Sequence, residues 1–243
     1  MAWKRILAVG CSHGNFADPS ALAAVLKFKE AFKPHTTIHL GDAIDCSAFM
    51  GSNIARGEGD PIEPDLQAGI DFLKQLRPQH YLAGNHEDRL ERLSHSRNEL
   101  VSYCAVTLLS HLESFCNRYK AQWYPYTGID QRLVIGDTAF MHGAMYNVSA
   151  IRDHAESFAP PGGKVVHAHT HRAGMETGRR HDTPLGFCVG TLTDRATMDY
   201  AKARRATLGW SQGFVWGEMN DRTGESQLFL CQKQNEKEWR LPG

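Results

Sequence analysis

The chain has 243 residues, of which 42% are hydrophobic and 22% are charged, and its 27 basic residues balance 27 acidic ones. This length supports one substantial core, so we predict a single domain over residues 1–243 and exclude two full domains. A neutral chain has no global positive field with which to hold long nucleic acid by its phosphates, which disfavours a processive nuclease.

Three short apolar or β-branched runs in the first third of the chain, 5–9, 36–40 and 80–82, are predicted strands, and each stops at a motif that contains glycine. Between the first two runs, Asp18 and Pro19 begin a predicted amphipathic helix. A strand, a helix and a strand form a parallel unit, so we expect the polar residues that follow the strands to cluster at the strand carboxyl ends.

The middle of the chain is predicted to be mainly helical. Residues 51–63 are rich in glycine and polar groups, which predicts a mobile loop near the site. A helix is predicted from Pro64 to about Arg77, where Pro78 ends it. Leucines and other apolar residues at helical spacing predict one or two long helices over 88–119.

From Gln122 onward the pattern favours strands, with a helical or looped excursion over the charged stretch 194–206. A turn at Gly136 and Asp137 predicts a strand pair. The predicted strands of this part are 123–126, 132–135, 138–141, 164–167, 187–189, 213–218 and 226–232.

The six cysteines contain no C-x-x-C pair and no framework typical of disulfides, so we predict reduced thiols. The apolar run at 6–9 is too short for the core of a signal peptide, and no apolar stretch approaches membrane-spanning length. We therefore expect a cytoplasmic protein that has no membrane partner.

Five short motifs carry oxygen, nitrogen and sulfur donors in numbers sufficient for two metal ions. They are Cys11-Ser12-His13, Gly41-Asp42, Gly84-Asn85-His86-Glu87, His142-Gly143 and His169-Thr170-His171. Asp42 follows an apolar strand and a glycine, which places it to bridge two ions. Because His169 and His171 are two residues apart, as Cys11 and His13 are, an extended strand end would point both members of each pair to one side.

The order of these motifs resembles that of the calcineurin-like metallophosphoesterases, whose pattern reads D-x-H, G-D, G-N-H-[ED], a lone His beside Gly, and then H-x-H. The segment from Cys11 to Asn15 is also similar to the D-x-H-G-N opening of that family. Trp210 to Phe214 is similar to a W-x-x-G-F pattern of phage and prophage members. The resemblance implies an α/β, four-layer metallophosphoesterase sandwich, with two mixed β-sheets packed face to face and helices on both outer faces.

The resemblance also implies a role for each motif residue. The first metal would be bound by Cys11, His13, Asp42 and His171. The second metal would be bound by Asp42, Asn85, His142 and His169. His86 would not be a ligand; it would contact the phosphate together with Asn85 and protonate the leaving alkoxide as the catalytic general acid. Glu87 is expected to orient His86.

Cys11 stands where the family has its first Asp. A thiolate keeps the unit negative charge, but sulfur prefers Zn or Fe to Mg or Ca. One interpretation is that Cys11 binds the first ion. The others are a buried apolar Cys11 with a single ion held by the second ligand set, and a nearly inactive relic. Cys46 could approach Cys11, which leaves a redox switch open. A cysteine nucleophile is disfavoured because no Arg-rich anion loop follows Cys11.

The predicted activity is hydrolysis of phosphate esters by attack of a metal-bound hydroxide, with two divalent ions (Mn, Zn or Fe) or only one as cofactor. Neutral charge and no evident capping domain favour a phosphodiesterase, and nucleotides and nucleic acid are candidate substrates. The alternatives are a phosphomonoesterase or phosphoprotein phosphatase, and a binding protein that has a single-metal site. Arg56, Arg89 and Arg92 could meet extra phosphates or be solvated charges, and the tryptophans are interpreted as packing residues.

Overall fold

The computed structural model describes residues 2–56, 59–202, 204–234 and 238–243. The strands are β1 (Trp3–Val9), β2 (Thr36–His39), β3 (His80–Leu82), β4 (Gln122–Tyr124), β5 (Leu133–Ile135), β6 (Thr138–Phe140), β7 (Lys164–His167), β8 (Gly174–Thr177), β9 (Leu185–Cys188), β10 (Gly213–Asn220) and β11 (Ser226–Gln232). The helices are α1 (Pro19–Phe32), α2 (Gly51–Arg56), α3 (Ile62–Leu76), α4 (Asn85–Leu93), α5 (Glu99–Tyr119), α6 (Ala150–Phe158) and α7 (Asp199–Lys202).

These strands form two mixed sheets. The six-stranded sheet has the order β11-β10-β1-β2-β3-β4. Strands β1 to β4 are parallel, and β10 is antiparallel to both of its neighbours, β1 and β11. The five-stranded sheet has the order β5-β6-β7-β9-β8, with β6, β7 and β9 parallel. The predicted early parallel units and later strand pairs are therefore confirmed.

The main core lies between the two sheets. Alternate side chains of a strand point to opposite faces, so Ile6 and Ala8 of β1 face the second sheet, where they join Phe140, Val166 and Phe187 in one buried cluster. This apolar contact is what holds the sheets face to face, because every one of these side chains is at most 2% exposed.

Helices cover the outer faces of both sheets. Leu7 and Val9, the other face of β1, pack against Val25 of α1 and Phe72 of α3. On the second sheet, the outward residues of β6 and β7 pack against α6. Helix α1 begins as predicted, because the Asp18 carboxylate accepts a hydrogen bond from the Ser20 N–H at 2.7 Å. The result is the four-layer metallophosphoesterase sandwich that the motifs implied.

The largest error of the sequence prediction is the loop over 51–63. Residues 51–56 form helix α2 and helix α3 already begins at Ile62, while residues 57 and 58 lie outside the described part of the chain. The Asn53 side chain donates to the Ser47 carbonyl at 2.8 Å and anchors α2, a contact that composition does not reveal. Helix α6 and the edge strand β8 were also not predicted. Within the described residues, no helix is both long and apolar enough to cross a membrane.

Candidate metal centre

Each of the five motifs follows a strand at one edge of the sandwich: β1, β2 and β3 of the first sheet, and β6 and β7 of the second. Because the sheets pack face to face with these carboxyl ends on the same side, side chains far apart in sequence meet. One such pairing joins Cys11 and His169, whose backbone N–H donates to the Cys11 Sγ at 3.3 Å across 158 positions.

The backbone at this edge is strained. Five of the eight predicted site residues have a positive φ: Cys11 (53°), His13 (51°), Asp42 (54°), His169 (66°) and His171 (57°). This left-handed conformation costs a residue other than glycine about 1–3 kcal/mol, and such costs concentrate at functional sites. Surrounding hydrogen bonds enforce it, for example those from the Cys11 and His13 N–H groups to the carbonyls of Gly41 and Asp42 at 2.9 and 3.0 Å.

The first donor group consists of Cys11, His13, Asp42 and His171, all buried, with their ligand atoms within 4.8 Å of one another. The His13 and His171 Nε2 atoms are 3.0 Å apart, and the Cys11 Sγ lies 4.0 Å from Asp42 Oδ2. This group coincides with the set that the family resemblance implied for a first metal; that it binds one remains a prediction.

The second donor group shares Asp42 with the first and adds His142 and His169. His142 Nε2 is 3.3 Å from Asp42 Oδ2, and both His142 Nε2 and His169 Nδ1 lie within 3.0 Å of the Asn85 Oδ1. Asp42 is therefore placed between the two groups, as a bridging carboxylate would be. Burial raises its pKa, but the charge of His142 and the other histidines outweighs burial and holds the pKa well below the usual range.

The residues around the donors fix which nitrogen of His142 and of His13 faces the donor groups. His142 Nδ1 lies 2.6 Å from the Leu40 carbonyl, which can only accept, so Nδ1 carries a proton and Nε2 is the nitrogen that faces Asp42 and Asn85. His13 Nδ1 in the same way donates to Asp45 Oδ1 at 2.8 Å, so its Nε2 is the nitrogen that faces His171. Burial lowers the pKa of His13, but the hydrogen bond to Asp45 and the charge of Asp42 raise it above the ordinary value.

The donor set fits a divalent metal ion. The Nε2 atoms of His13 and His171 face each other at 3.0 Å, where two lone pairs would repel, so a proton or a cation must lie between them. Two nitrogens bound to one ion at roughly 2.0–2.1 Å lie about 3 Å apart, which matches this spacing. In addition, the His171 Nδ1 is buried and has no partner in the described structure, so a proton can reside there while Nε2 binds.

His86 lies on the solvent side of the cluster and is half-buried. Its backbone N–H donates to Asp42 Oδ1 at 3.0 Å, and its Nδ1 lies 2.5 Å from the Asp45 carbonyl oxygen. Since a carbonyl only accepts, Nδ1 carries a proton and Nε2 is the nitrogen that can exchange a proton with a ligand. This placement suits the predicted role of His86 outside the ligand set.

Glu87 is expected from the sequence to orient His86, but the structure gives its carboxylate different partners. It accepts hydrogen bonds from the backbone N–H groups of Asp42, Ala43 and Gly84 at 2.9, 2.8 and 2.7 Å, and from the Tyr81 hydroxyl at 2.8 Å. Buried Glu87 therefore ties the loop after β2 to the loop after β3 and fixes the backbone of Asp42, which the two donor groups share.

Two site residues escaped sequence reasoning. Asp45 orients His13 and lies 3.5 Å from His86 Nδ1, and these three form a further donor group; the only sequence signal was a second aspartate in the same loop as Asp42. Gln131 accepts from the His142 N–H at 2.9 Å and donates to the Ala83 carbonyl at 2.8 Å, which ties the second sheet to the first. No motif marks Gln131.

Cys11 is fully buried and is also part of the apolar cluster between the sheets. Burial, followed by the charge of Asp42, raises the pKa of its thiol well above the ordinary value. Cys46 instead belongs to the cluster beneath α3 and α5, so the two thiols face different cores and the redox pairing left open by the sequence is not supported. Each of the six cysteines lies in the described residues as a free thiol, as predicted.

The remaining candidates are placed as follows. Arg89 donates to the carbonyls of Asp45 and Cys46 at 3.3 Å, so it supports the loop. Arg92 is exposed and pairs with Asp88 on the helix surface, and the Arg56 side chain lies outside the described residues. Trp210 packs, as interpreted, but its ring stands edge-on to His171 at a centroid distance of 4.2 Å and closes that side of the centre.

A comparison with family models gives a match over most of the chain. A family model described as Calcineurin-like phosphoesterase matches residues 4–182. No curated protein matches the sequence. Solved structures with a similar fold include Yfce, a phosphoesterase from E. coli, with a TM-score of 0.42, 13% identity and coverage of 93% of this chain and 98% of that one.

Two further solved structures are Vps29 of Chaetomium thermophilum and Vacuolar Protein Sorting 29 from Cryptosporidium parvum. The first has a TM-score of 0.38 and 13% identity, covering 95% of each chain. The second has a TM-score of 0.44 and 10% identity, covering 96% of this chain and 99% of that one. At such low scores neither neighbour informs activity or partners.

Proposed function

Because the chain belongs to the calcineurin-like phosphoesterase family, we propose that it hydrolyses phosphate esters with divalent metal ions held by its donor groups, and that phosphodiesters are its preferred substrates. The observation that carries the proposal is the sharing of Asp42 by two donor groups, one with Cys11, His13 and His171 and one with His142 and His169. A carboxylate between two sets of ligands, most of them neutral, is the arrangement that two-metal hydrolysis needs.

The chain's own residues would then hold and orient the reactants. When bound, a pair of divalent ions supplies positive charge that neutralises phosphate oxygens and lowers the pKa of water. Asn85, half-buried on the solvent side, can contact the phosphate. The His86 Nδ1–H is engaged in a hydrogen bond to the Asp45 carbonyl. Its Nε2 is therefore the atom that gives a proton to the departing alkoxide.

The preference for diesters rests on charge. The chain is neutral overall, and the solvent side of the centre has no cluster of basic side chains among the described motif residues that would compensate the extra charge of a monoester. A diester carries one negative charge, which the ions can balance alone. Phosphomonoesters, including phosphoproteins, are the alternative substrates.

The test is the initial rate on bis(p-nitrophenyl) phosphate and on p-nitrophenyl phosphate, comparing chelator-treated protein with the same protein supplied with Mn, Zn or Fe. We expect turnover that depends on metal and is faster for the diester, and we expect Asp42→Asn to abolish it. Asp71→Asn, an exposed change on α3, serves as the matched control. A folded sample that turns over neither ester with any metal would overturn the proposal.

A second candidate, a binding protein with a single ion, is favoured by one observation: Cys11 packs in the apolar cluster between the sheets. Against it, the Cys11 Sγ accepts the His169 N–H at 3.3 Å, as a thiolate ligand can. Cobalt(II) separates the two, because a thiolate bound to cobalt gives a charge-transfer band in the near ultraviolet. We expect two cobalt ions per chain and a band that Cys11→Ser removes. One ion and no band would favour the single-ion protein.

The Cys11→Asp variant adds a rate test of the same question. Aspartate restores an oxygen donor at the position, so a site tuned to sulfur is expected to lose activity with Zn and to gain preference for Mn. A manyfold increase in the hydrolysis rate with every metal would instead show that Cys11 impairs catalysis, and it would support the interpretation of the wild type as a nearly inactive relic.

A further inference from the structure

An exposed apolar segment borders the metal centre on the side of His169. In the segment after β6, the side chain of Tyr146 is 78% exposed and that of Val148 is 87% exposed. The Tyr146 ring lies 6.3 Å from the His169 ring, centroid to centroid, at an angle of 70°. A large aromatic side chain in water beside a polar centre buries little of its surface in the folded chain, so most of its stacking surface is available to a ligand.

The backbone beneath this ring is nevertheless held in place. The Arg172 guanidinium donates to the carbonyls of Tyr146 and Asn147 at 2.8 and 2.9 Å. The Asn147 side chain accepts from the Ser149 N–H at 2.8 Å and donates to Asp153 at 3.1 Å. A ring on an anchored backbone loses little conformational entropy when a ligand stacks on it, which is the condition for a useful contact.

The position of the ring relates it to one particular part of a diester. The half-buried members of the cluster, Asn85, His86 and His169, form its solvent-facing side, and the other predicted ligands are buried. Asn85 contacts His169 through its Oδ1 and is the chain neighbour of His86, so it connects the two histidines of this face. The leaving arm of a diester must lie beside His86 to receive a proton. The second arm, which stays on phosphorus, is then directed toward His169 and Tyr146.

We propose that Tyr146 is a specificity-determining residue that stacks on a planar ring in the retained arm of a phosphodiester, so that the substrate class is diesters whose retained arm carries an aryl ring or a nucleobase. The inference rests on the proposed function and adds to it the arm that is recognised. A monoester has no such arm, so Tyr146 contributes to the choice of diesters.

The experiment varies the retained arm while keeping the leaving group constant. Methyl p-nitrophenyl phosphate and bis(p-nitrophenyl) phosphate both release p-nitrophenolate, but only the second retains a ring. We expect Tyr146→Ala to raise KM for the bis-aryl ester by about 5- to 10-fold, the lower end of stacking contributions, with kcat unchanged. KM for the methyl ester is expected to change less than 2-fold, and Tyr146→Phe is expected to behave as wild type.

Tyr103→Ala is the matched control, since Tyr103 is 72% exposed on α5, and it is expected to change neither KM. Equal effects of Tyr146→Ala on both esters, or no effect on either, would overturn the proposal. If wild type hydrolyses neither ester, the proposed function fails, but the stacking role of Tyr146 can still be tested. The test then compares the affinities of diphenyl phosphate and dimethyl phosphate, measured by calorimetry. Weaker binding of diphenyl phosphate alone in Tyr146→Ala supports the stacking role, and unchanged binding refutes it.

Discussion

The replacement of Glu87 by glutamine tests the reasoning about how the site is held together. The Glu87 carboxylate is 1% exposed and accepts hydrogen bonds with both oxygens. Oε2 accepts from the Asp42 and Gly84 N–H groups at 2.9 and 2.7 Å. Oε1 accepts from the Ala43 N–H and the Tyr81 hydroxyl, both at 2.8 Å. Glutamine retains the shape of this side chain but replaces one acceptor oxygen by an NH₂ donor.

The loss of stability in Glu87→Gln depends on which hydrogen-bond partners of Glu87 can adapt to glutamine. The Tyr81 hydroxyl can turn and accept from the new NH₂ group, so the glutamine is expected to place its nitrogen at the Oε1 position. The Ala43 N–H is then buried without an acceptor, which costs about 1–3 kcal/mol. The bonds to Oε2 also lose their charge assistance, while the removal of a buried charge offsets part of that loss. We expect a net loss of about 2–4 kcal/mol, or a decrease in Tm of roughly 5–12 °C.

The assay is urea unfolding in the presence of a chelator, so that metal binding does not add to the measured stability. Tyr81→Phe removes one neutral donor and is expected to cost about 1 kcal/mol. Glu91→Gln, an exposed change on the same helix, is expected to stay within about 0.5 kcal/mol of wild type. If Glu87→Gln also stays within that limit, the argument that Glu87 holds the two loops is refuted.

Three further predictions concern metal binding and stability. Gly84→Ala is expected to abolish metal binding measured by calorimetry, because the added Cβ would collide with the Asp42 carboxylate. Gly51→Ala, whose Cβ meets nothing within 4 Å, should bind metal as wild type does. Equal binding by both variants would show that the contact between Gly84 and Asp42 does not matter. Asp45→Asn is expected to weaken metal affinity by about 10- to 100-fold, because it removes the carboxylate that orients His13, a predicted ligand. The control variant Asp71→Asn should leave the affinity unchanged. Burial raises the pKa of Asp137, but its hydrogen bonds, first that from Lys164, lower the pKa below its ordinary value. The ionised carboxylate therefore stabilises the fold above about pH 4, and this stabilisation is lost as pH falls further. The difference in Tm between wild type and Asp137→Asn should shrink below that pH, and a constant difference down to pH 2 would contradict the prediction.

Some elements were missed because their patterns carry little apolar signal. Helix α6 buries Ala150, His154 and Ala155, and alanine and histidine do not produce the large-residue periodicity that marks a helix. Strand β8 alternates between half-buried and exposed positions at the edge of its sheet. In both cases the neighbouring sheet determines the structure, because the segment contributes few large apolar side chains of its own.

The sequence by itself determined the fold class and the chemistry of the candidate centre. Strands that end one or two residues before Gly10, Gly41 and Gly84 set the carboxyl edge of a parallel sheet, and the residues that follow supply the donors. Local order suffices for this, since a strand end and its next residues are neighbours in the chain.

Only the tertiary structure decided how the donors meet. Cys11 and His169 come from different sheets, and their contact depends on the packing of the two sheets and on left-handed backbone at both residues. The same holds for the hydrogen-bond partners of Glu87, for the support that Asp45 gives to His13, and for the exposed ring of Tyr146 beside His169. Each depends on hydrogen bonds or exposure set by residues distant in sequence, and no local periodicity encodes such pairings.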